Sequence, residues 1–204
     1  MNVLLGVAAN AAFAAPPAGT PIGNQATATY LDATATSRTV SSNLVTTYVQ
    51  QVASFTLVSS QTLPAAPGTQ AVFPHVITNT GNGPASLTLA LVNLPGDDFD
   101  LSGLAIYADA DGNGVADNAT PLTNTGMIAA GGTFRFVVVG NVPGVQVGGQ
   151  FAQMRITAAS TFDALQTAFN TDRVNVSGNA VIAMTKSINQ PSGASPSGPR
   201  RNTV

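Results

Sequence analysis

Residues 72–92 read VFPHVITNTGNGPASLTLALV, and this stretch contains the pattern that decides the fold. From Leu87 to Leu91 every second residue is leucine, with Thr88 and Ala90 between them. Side chains of a β-strand point alternately to its two faces, so this spacing predicts a strand with one face on a core and the other on solvent or a second layer. Residues 79–84, NTGNGP, precede it as a turn, because Asn and Gly tolerate left-handed backbone and Pro presets φ.

The same alternation recurs in short runs from about residue 25 onward, and helical periodicity is hard to find. Roughly nine short strands at this spacing predict a sandwich or barrel. The clearest predicted strands are Ala26–Leu31, Leu44–Gln50, Ser54–Val58, Val72–Asn79, Ser86–Val92, Leu104–Ala108, Phe134–Val139, Gln153–Ala159 and Val174–Met184.

The composition favours strands as well. Charged residues make up only 8% of the 204-residue chain, all nine acidic residues are Asp, and Lys186 is the single lysine. Exposed helices draw heavily on Glu and Lys, which keep rotamer freedom in a helix. An apolar content of 44% is too high for a disordered polymer, so we expect the chain to fold as an all-β protein.

An internal repeat divides the chain. When the chain is aligned with itself so that Ser42 falls on Thr171, residues 42–45 (SNLV) lie on 171–174 (TDRV), and residues 55–58 (FTLV) lie on 184–187 (MTKS). Identity at this repeat offset is weak, but the order of the pieces agrees. We therefore expect immunoglobulin-like β-sandwich modules in tandem: 16–54 as strands of a partial or preceding module, 55–182 as one complete module, and 183–204 as the start of a further repeat or a linker. On this interpretation the chain is part of a longer array.

Several of these pieces together resemble a known family. They are residues 55–57 (FTL), 66–69 (APGT), the strand from Val72 to Ile77, and the turn that follows at 78–84 (TNTGNGP). They are similar to the Ig-like repeat domains of bacterial and archaeal surface proteins, a family catalogued among domains of unknown function. Lys186 matches the lysine of that family's opening strand, whereas residues 55–58 lack this lysine and His75 stands where an apolar residue is usual. The resemblance implies an Ig-like sandwich in a stalk, surface layer or adhesin, and it implies no chemistry.

The best chemical candidate is the loop at residues 109–117, DADGNGVAD. Its side-chain oxygens at Asp109, Asp111, Asn113 and Asp117, and the main-chain carbonyl of Val115, repeat the ligand spacing of an EF-hand calcium loop, with glycine at its sixth position. The twelfth position is Thr120 rather than Glu, so we expect a Ca2+ ion bound here to recruit another oxygen, with Asp97, Asp98 or Asp100 as candidates. The alternative is a turn capped by its own side chains that binds nothing.

Other function classes find little support. The net charge is −2 and the seven basic residues are scattered, so they form no stripe of positive charge that could follow a nucleic-acid backbone. There is no cysteine for a disulfide or a thiolate metal site. His75 is the only histidine; it alternates with Phe73 and Ile77, and we expect a packed or rim histidine. The acids at 97–100 favour a solvated loop or cation ligands over a glycosidase pair. We expect no enzyme activity.

Residues 1–15 are apolar and contain Ala12-Phe13-Ala14 shortly before two prolines, which is typical of a signal-peptide cleavage site but also of an apolar strand. The segment is too short to span a bilayer. We therefore expect a non-catalytic structural repeat of an extracellular or cell-surface protein, stabilised by calcium, whose partners are adjacent repeats and other surface proteins or glycans. The alternatives are a fibre subunit that assembles by strand donation, and an adhesin module that binds carbohydrate.

Overall fold

The computed structural model describes residues 15–178, and the predictions for residues 1–14 and 183–204 lie outside this range. Twelve β-strands and no helix occur in the described chain, so no helix there could cross a membrane. The all-β prediction is confirmed. The strands form an N-terminal ribbon and a β-sandwich.

The ribbon is a long hairpin in which each of the two arms is interrupted once. The first arm contains β1 (Pro21–Asn24) and β2 (Thr27–Leu31), and the second contains β3 (Ser37–Ser41) and β4 (Val45–Tyr48). At the tip, β2 pairs antiparallel with β3, and at the base β1 pairs antiparallel with β4. Every residue in these four strands is exposed, which is unusual for apolar side chains such as Ile22 and Val40.

The sandwich contains the other eight strands in two four-stranded sheets. They are β5 (Phe55–Leu57), β6 (Thr62–Ala65), β7 (Gln70–Asn79), β8 (Leu87–Asn93), β9 (Ser102–Ala108), β10 (Thr133–Asn141), β11 (Phe151–Ser160) and β12 (Thr167–Val176). One sheet has the order β5-β7-β10-β9 and the other β6-β12-β11-β8. If β5 and β6 are counted as one first strand that changes sheets, this is the strand order of a constant-type immunoglobulin domain. The prediction of an Ig-like sandwich is confirmed.

The core lies between the two sheets and follows the alternation seen in the sequence. Leu87 and Leu89 are buried while Thr88 is exposed, as the leucine spacing predicts. Fully buried side chains of both sheets complete this layer, and they include Phe73, Ile77, Phe136, Met154, Ile156 and Val174. Burying apolar side chains of this size contributes about 1.5–3 kcal/mol each, which makes this layer the main source of stability.

The predicted strand Val174–Met184 begins too late, since β12 spans Thr167–Val176, and its residues 179–184 lie outside the described range. The cause lies in its inward face, where Asn170 and Asp172 are buried beside Val174 and Val176. Polar residues on the buried face hide the alternation of apolar and polar side chains. β6 was missed for another reason: Pro64 reads as a turn residue, but β6 is an edge strand, where proline is tolerated.

Candidate functional site

The aspartate loop at residues 109–117 directly follows β9, and β10 holds its first residue. The Asp109 N–H donates to the carbonyl of Arg135, and the Asp117 N–H donates to the carbonyl of Ala108. Both ends of the loop are therefore fixed to the sheet. Asp109 is only 2% exposed, whereas Asp111 and Asp117 are exposed.

The carboxylates of the loop converge. Oxygens of Asp109, Asp111 and Asp117 all lie within 4.8 Å of one another. Ca2+ binds oxygen at about 2.3–2.6 Å, so two ligands on opposite sides of the ion are about 5 Å apart. The spacing of the three carboxylates thus meets one requirement of a calcium site, while the two Asp111 oxygens bond to Asn113, as in a turn capped by its own side chains.

Hydrogen bonds within the loop set its shape. The two oxygens of Asp109 accept from the N–H groups of Asn113 (3.0 Å) and Gly114 (3.1 Å), and Asp117 Oδ2 accepts from the Ala110 N–H (2.8 Å). Asn113 Oδ1 accepts from the Val115 N–H at 2.7 Å, so all five predicted ligand residues belong to one local turn. Gly114 has a φ of +79°, a backbone conformation that glycine adopts without strain.

The extra ligand predicted from residues 97–100 is a wrong assignment. Asp98 Oδ2 accepts from the Phe151 N–H at 2.9 Å, and Asp97 Oδ2 accepts from the Gln153 N–H at 2.5 Å. These residues precede β9 and the loop follows it, so about 23 Å of strand, at about 3.3 Å per residue, lies between them. Asp97 and Asp98 therefore cap β11, and neither they nor Asp100 belongs to the carboxylate group of the loop.

A second polar cluster links the two sheets inside the core. His75 on β7 and Asp172 on β12 meet at 2.7 Å, from Nε2 to Oδ2, and both side chains are fully buried. Asp172 Oδ1 also accepts from the Gln61 N–H at 2.8 Å, and Asn170 Nδ2 lies 3.4 Å from His75 Nδ1. The His75 ring stacks on Phe136 with centroids 5.4 Å apart. The prediction of a packed histidine agrees with this burial, and its acidic partner was missed.

This cluster has no access for a substrate. His75 is 1% exposed and Asp172 is 0% exposed, and a single carboxylate meets the imidazole. The arrangement satisfies buried polar groups across the core, which is what an inter-sheet structural contact requires.

The third site is the joint where the ribbon meets the sandwich. The Asn82 side chain donates to the carbonyls of Pro16 (3.2 Å) and Gln50 (3.0 Å) and accepts from the Val52 N–H (2.7 Å). Its main chain accepts from the Ala18 N–H at 2.8 Å and donates to the Val52 carbonyl at 3.3 Å. One asparagine thus holds both the chain that enters the ribbon and the chain that leaves it.

Asn79 secures the same turn from the other side. Its side-chain amide donates to the carbonyls of Gly83, Ile128 and Ala129, and its Oδ1 accepts from the Gly81 N–H. The sequence identified residues 79–84 as a turn but not as a joint. No pattern near Asn82 in the sequence indicates this role, because the partners of its side chain lie 30 to 66 residues away.

No protein-family model and no curated protein match the sequence. Among solved structures, the ASH/PapD-like domain 7 of human CEP192 aligns with 62% of this chain and 87% of its own length, at 11% identity and a TM-score of 0.38. A family 123 glycoside hydrolase from Clostridium perfringens aligns with 61% of this chain at 12% identity and a TM-score of 0.43, and this chain spans 27% of its length. AggA, the major subunit of aggregative adherence fimbriae type I from Escherichia coli, aligns with 63% of this chain and 97% of its own length, at 14% identity and a TM-score of 0.31. At these identities and TM-scores the comparisons assign no function to this chain.

Proposed function

We propose that this chain is a non-catalytic structural repeat segment of a secreted or cell-surface protein, in which Ig-like modules follow one another and calcium stiffens each module. The ribbon is the closing hairpin of a preceding module, and Phe55–Val176 is the module that follows. Adjacent repeats of the same polypeptide are its main partners.

The observation that carries this proposal is that the ribbon repeats the closing hairpin of the sandwich. In β2–β3 the residue pairs include Thr27↔Ser41 and Tyr30↔Arg38. At the repeat offset, the corresponding pairs in β11–β12 are Ile156↔Asn170 and Ala159↔Thr167. The offset that aligns Ser42 with Thr171 thus also relates β2–β3 to β11–β12 in register and in turn length. At the base of the ribbon the register differs by one residue, since Ile22 pairs with Thr47 whereas Phe151 pairs with Asn175.

The ribbon also lacks what its counterpart has. In the sandwich, β11–β12 is flanked by β8 on one side and by β6 on the other. In the described part of the chain, β1–β4 pair only with one another. An isolated two-stranded hairpin is marginally stable in water, so flanking strands from a preceding module would stabilise the ribbon.

Calcium has a structural role in this proposal. An ion held by Asp109, Asp111, Asn113, Asp117 and the Val115 carbonyl would tie the long connection after β9 to the sheet. Because the carboxylates converge only in the folded loop, binding and folding are coupled, and the ion would stabilise the folded module.

A two-module chain tests the proposal. Met184 corresponds to Phe55 at the repeat offset, so residue 183 of this chain is joined directly to residue 55 of a second copy that ends at residue 178. We expect both modules to fold and to give an elongated particle in small-angle X-ray scattering. A second module that stays unfolded would contradict the repeat.

A second candidate function is self-assembly through strand pairing. The ribbon carries only two charged residues, Asp32 and Arg38, and these pair with each other at the tip at 2.9 Å. Charged side chains usually protect edge strands from pairing with other chains, and the ribbon has no charged residue apart from Asp32 and Arg38. The Asp32 N–H bonds to the Thr36 carbonyl, so by alternation the Thr29 N–H points outward from the hairpin.

Thr29→Pro is the test of this second candidate, because proline removes an outward N–H without removing a main-chain bond within the hairpin. The contact of Thr29 Oγ1 with Thr39 Oγ1 (3.2 Å) is lost equally in the proline variant and in its control. Thr29→Val, which keeps the N–H, is the matched control. If the ribbon assembles by its edge, analytical ultracentrifugation will show association for the parent and the valine variant only. A parent chain that stays monomeric at all concentrations eliminates the candidate.

Carbohydrate binding has less support, since neither of two cavities, of 460 and 270 Å³, is lined by an aromatic side chain.

A further inference from the structure

The structure assigns a partner surface to the turn at Asn79–Pro84: we propose that it docks the backbone of the chain that enters and leaves a closing hairpin, and that Asn82 thereby holds neighbouring modules at a defined angle. This inference rests on the proposed function and adds the hydrogen-bonded contact through which one repeat holds its neighbour.

Asn82 makes its contacts to backbone atoms, whereas Pro84 of the same turn accepts a bond from the side chain of Gln51 (2.8 Å). The Asn82 side chain and main chain bond to the carbonyls of Pro16, Gln50 and Val52 and to the N–H groups of Ala18 and Val52. None of these bonds depends on the side chain of the partner. A surface of this kind accepts connecting segments of different sequence, which fits a repeat whose copies share little identity.

Two glycines allow the partner chain to lie directly on the turn. A Cβ at Gly81 would come within 2.5 Å of the Val52 carbonyl oxygen, and a Cβ at Gly83 would lie 3.1 Å from Gln51 side-chain carbons. The first contact is with a main-chain atom, which cannot rotate aside as a side chain can. A larger residue at position 81 would therefore displace the connecting segment from the turn.

The turn itself is fixed to the sandwich. Asn79 is 1% exposed and reaches the carbonyls of Ile128 and Ala129, while the Thr80 and Gly81 N–H groups both donate to the Ser54 carbonyl. Asn82 and Asn79 therefore connect the ribbon to the sheets of the sandwich. Because hydrogen bonds hold both connecting segments, the ribbon cannot rotate about a single attachment point.

Distance measurements between spin labels test the inference in the full chain. The chain contains no cysteine, so nitroxides are introduced at Ala33→Cys, near the ribbon tip, and at Ala90→Cys, an exposed position of β8. We expect one narrow distance distribution in the parent. Asn82→Ala should lose this single maximum, and Asn82→Asp, which keeps the acceptor for Val52 but not the donors, should lose it in part.

Asn124→Ala is the matched control, because Asn124 only caps its own exposed turn at Gly126. Hydrogen exchange gives a second readout: the Val52 amide should lose protection in Asn82→Ala while core amides of β10 keep theirs, which also shows that the variant is folded. An Asn82→Ala variant with the parent's narrow distribution and a protected Val52 amide would overturn the inference. A broad distribution in the parent would overturn it too, and would leave the two-module test of the repeat unaffected.

Discussion

Replacement of Asp172 by alanine tests how strongly the polar contact between the sheets stabilises the module. Asp172 joins β12 to the opposite sheet through His75 Nε2 at 2.7 Å, and it also accepts the Gln61 N–H at 2.8 Å. Both side chains of the pair are completely buried. Asp172→Ala therefore leaves two polar groups without their partner in the core.

The expected loss follows from these contacts. Removal of one member of a buried polar pair costs about 3–5 kcal/mol, of which about 1–3 kcal/mol arises from each donor left unsatisfied. Small domains have a free energy of unfolding of about 5–15 kcal/mol, so the variant should lose a large part of its stability. Replacing both partners by apolar groups removes the unsatisfied imidazole and leaves only the Gln61 N–H without its acceptor, so His75→Phe with Asp172→Leu should be closer to the parent than Asp172→Ala is.

Urea unfolding followed by far-UV circular dichroism measures both effects. Asp100→Ala serves as the control, because Asp100 is an exposed loop residue and should change stability by less than about 0.5 kcal/mol. If Asp172→Ala costs under about 1 kcal/mol, or if the double variant is less stable than the single one, the contact does not act as described.

Three further outcomes are expected. Calorimetric titration should show calcium binding to the parent and to Asp100→Ala, and none to Asp109→Ala; equal binding by all three would place any calcium elsewhere. Hydrogen bonds from the Thr34 hydroxyl, Arg38 and the Thr36 and Thr34 N–H groups lower the pKa of Asp32 from 3.8 to about 2. Its support of the hairpin turn should therefore be complete above pH 3.8 and be lost as the pH falls toward 2, and a carboxyl that titrates in NMR spectra near its ordinary value would refute this. Gly140→Ala should lower the unfolding free energy by about 1–3 kcal/mol, because its Cβ would lie 2.9 Å from Leu104 Cδ2; an unchanged urea midpoint would show that this packing can adjust.

The sequence predicted the strands best where the buried face is apolar. β8 was found because Leu87 and Leu89 are buried and Thr88 is not. β12 was misplaced because Asn170 and Asp172 take buried positions that an apolar residue normally occupies. Asn170 and Asp172, the two residues that obscured this strand, thus belong to the cluster that joins the two sheets.

The aspartate loop shows the same division between local and distant information. The five predicted ligand residues from Asp109 to Asp117 belong to one turn, and their mutual spacing was readable from nine consecutive residues. The recruited ligand was wrong, because Asp97 and Asp98 bond to β11, and no pattern near them in sequence reveals which strand they meet.

By itself, the sequence determined the all-β class, the weak internal repeat and the local shape of the aspartate loop. These depend on the order of short segments, on interactions between residues close along the chain, or on the alternation of side chains along a strand. Only the tertiary structure decided that the first strand changes sheets between β5 and β6, that His75 meets Asp172 across 97 residues, and that Asn82 holds both ends of the ribbon. The physical reason is that a pair formed between distant strands depends on their relative register, which many alternating sequences leave open until the core is packed.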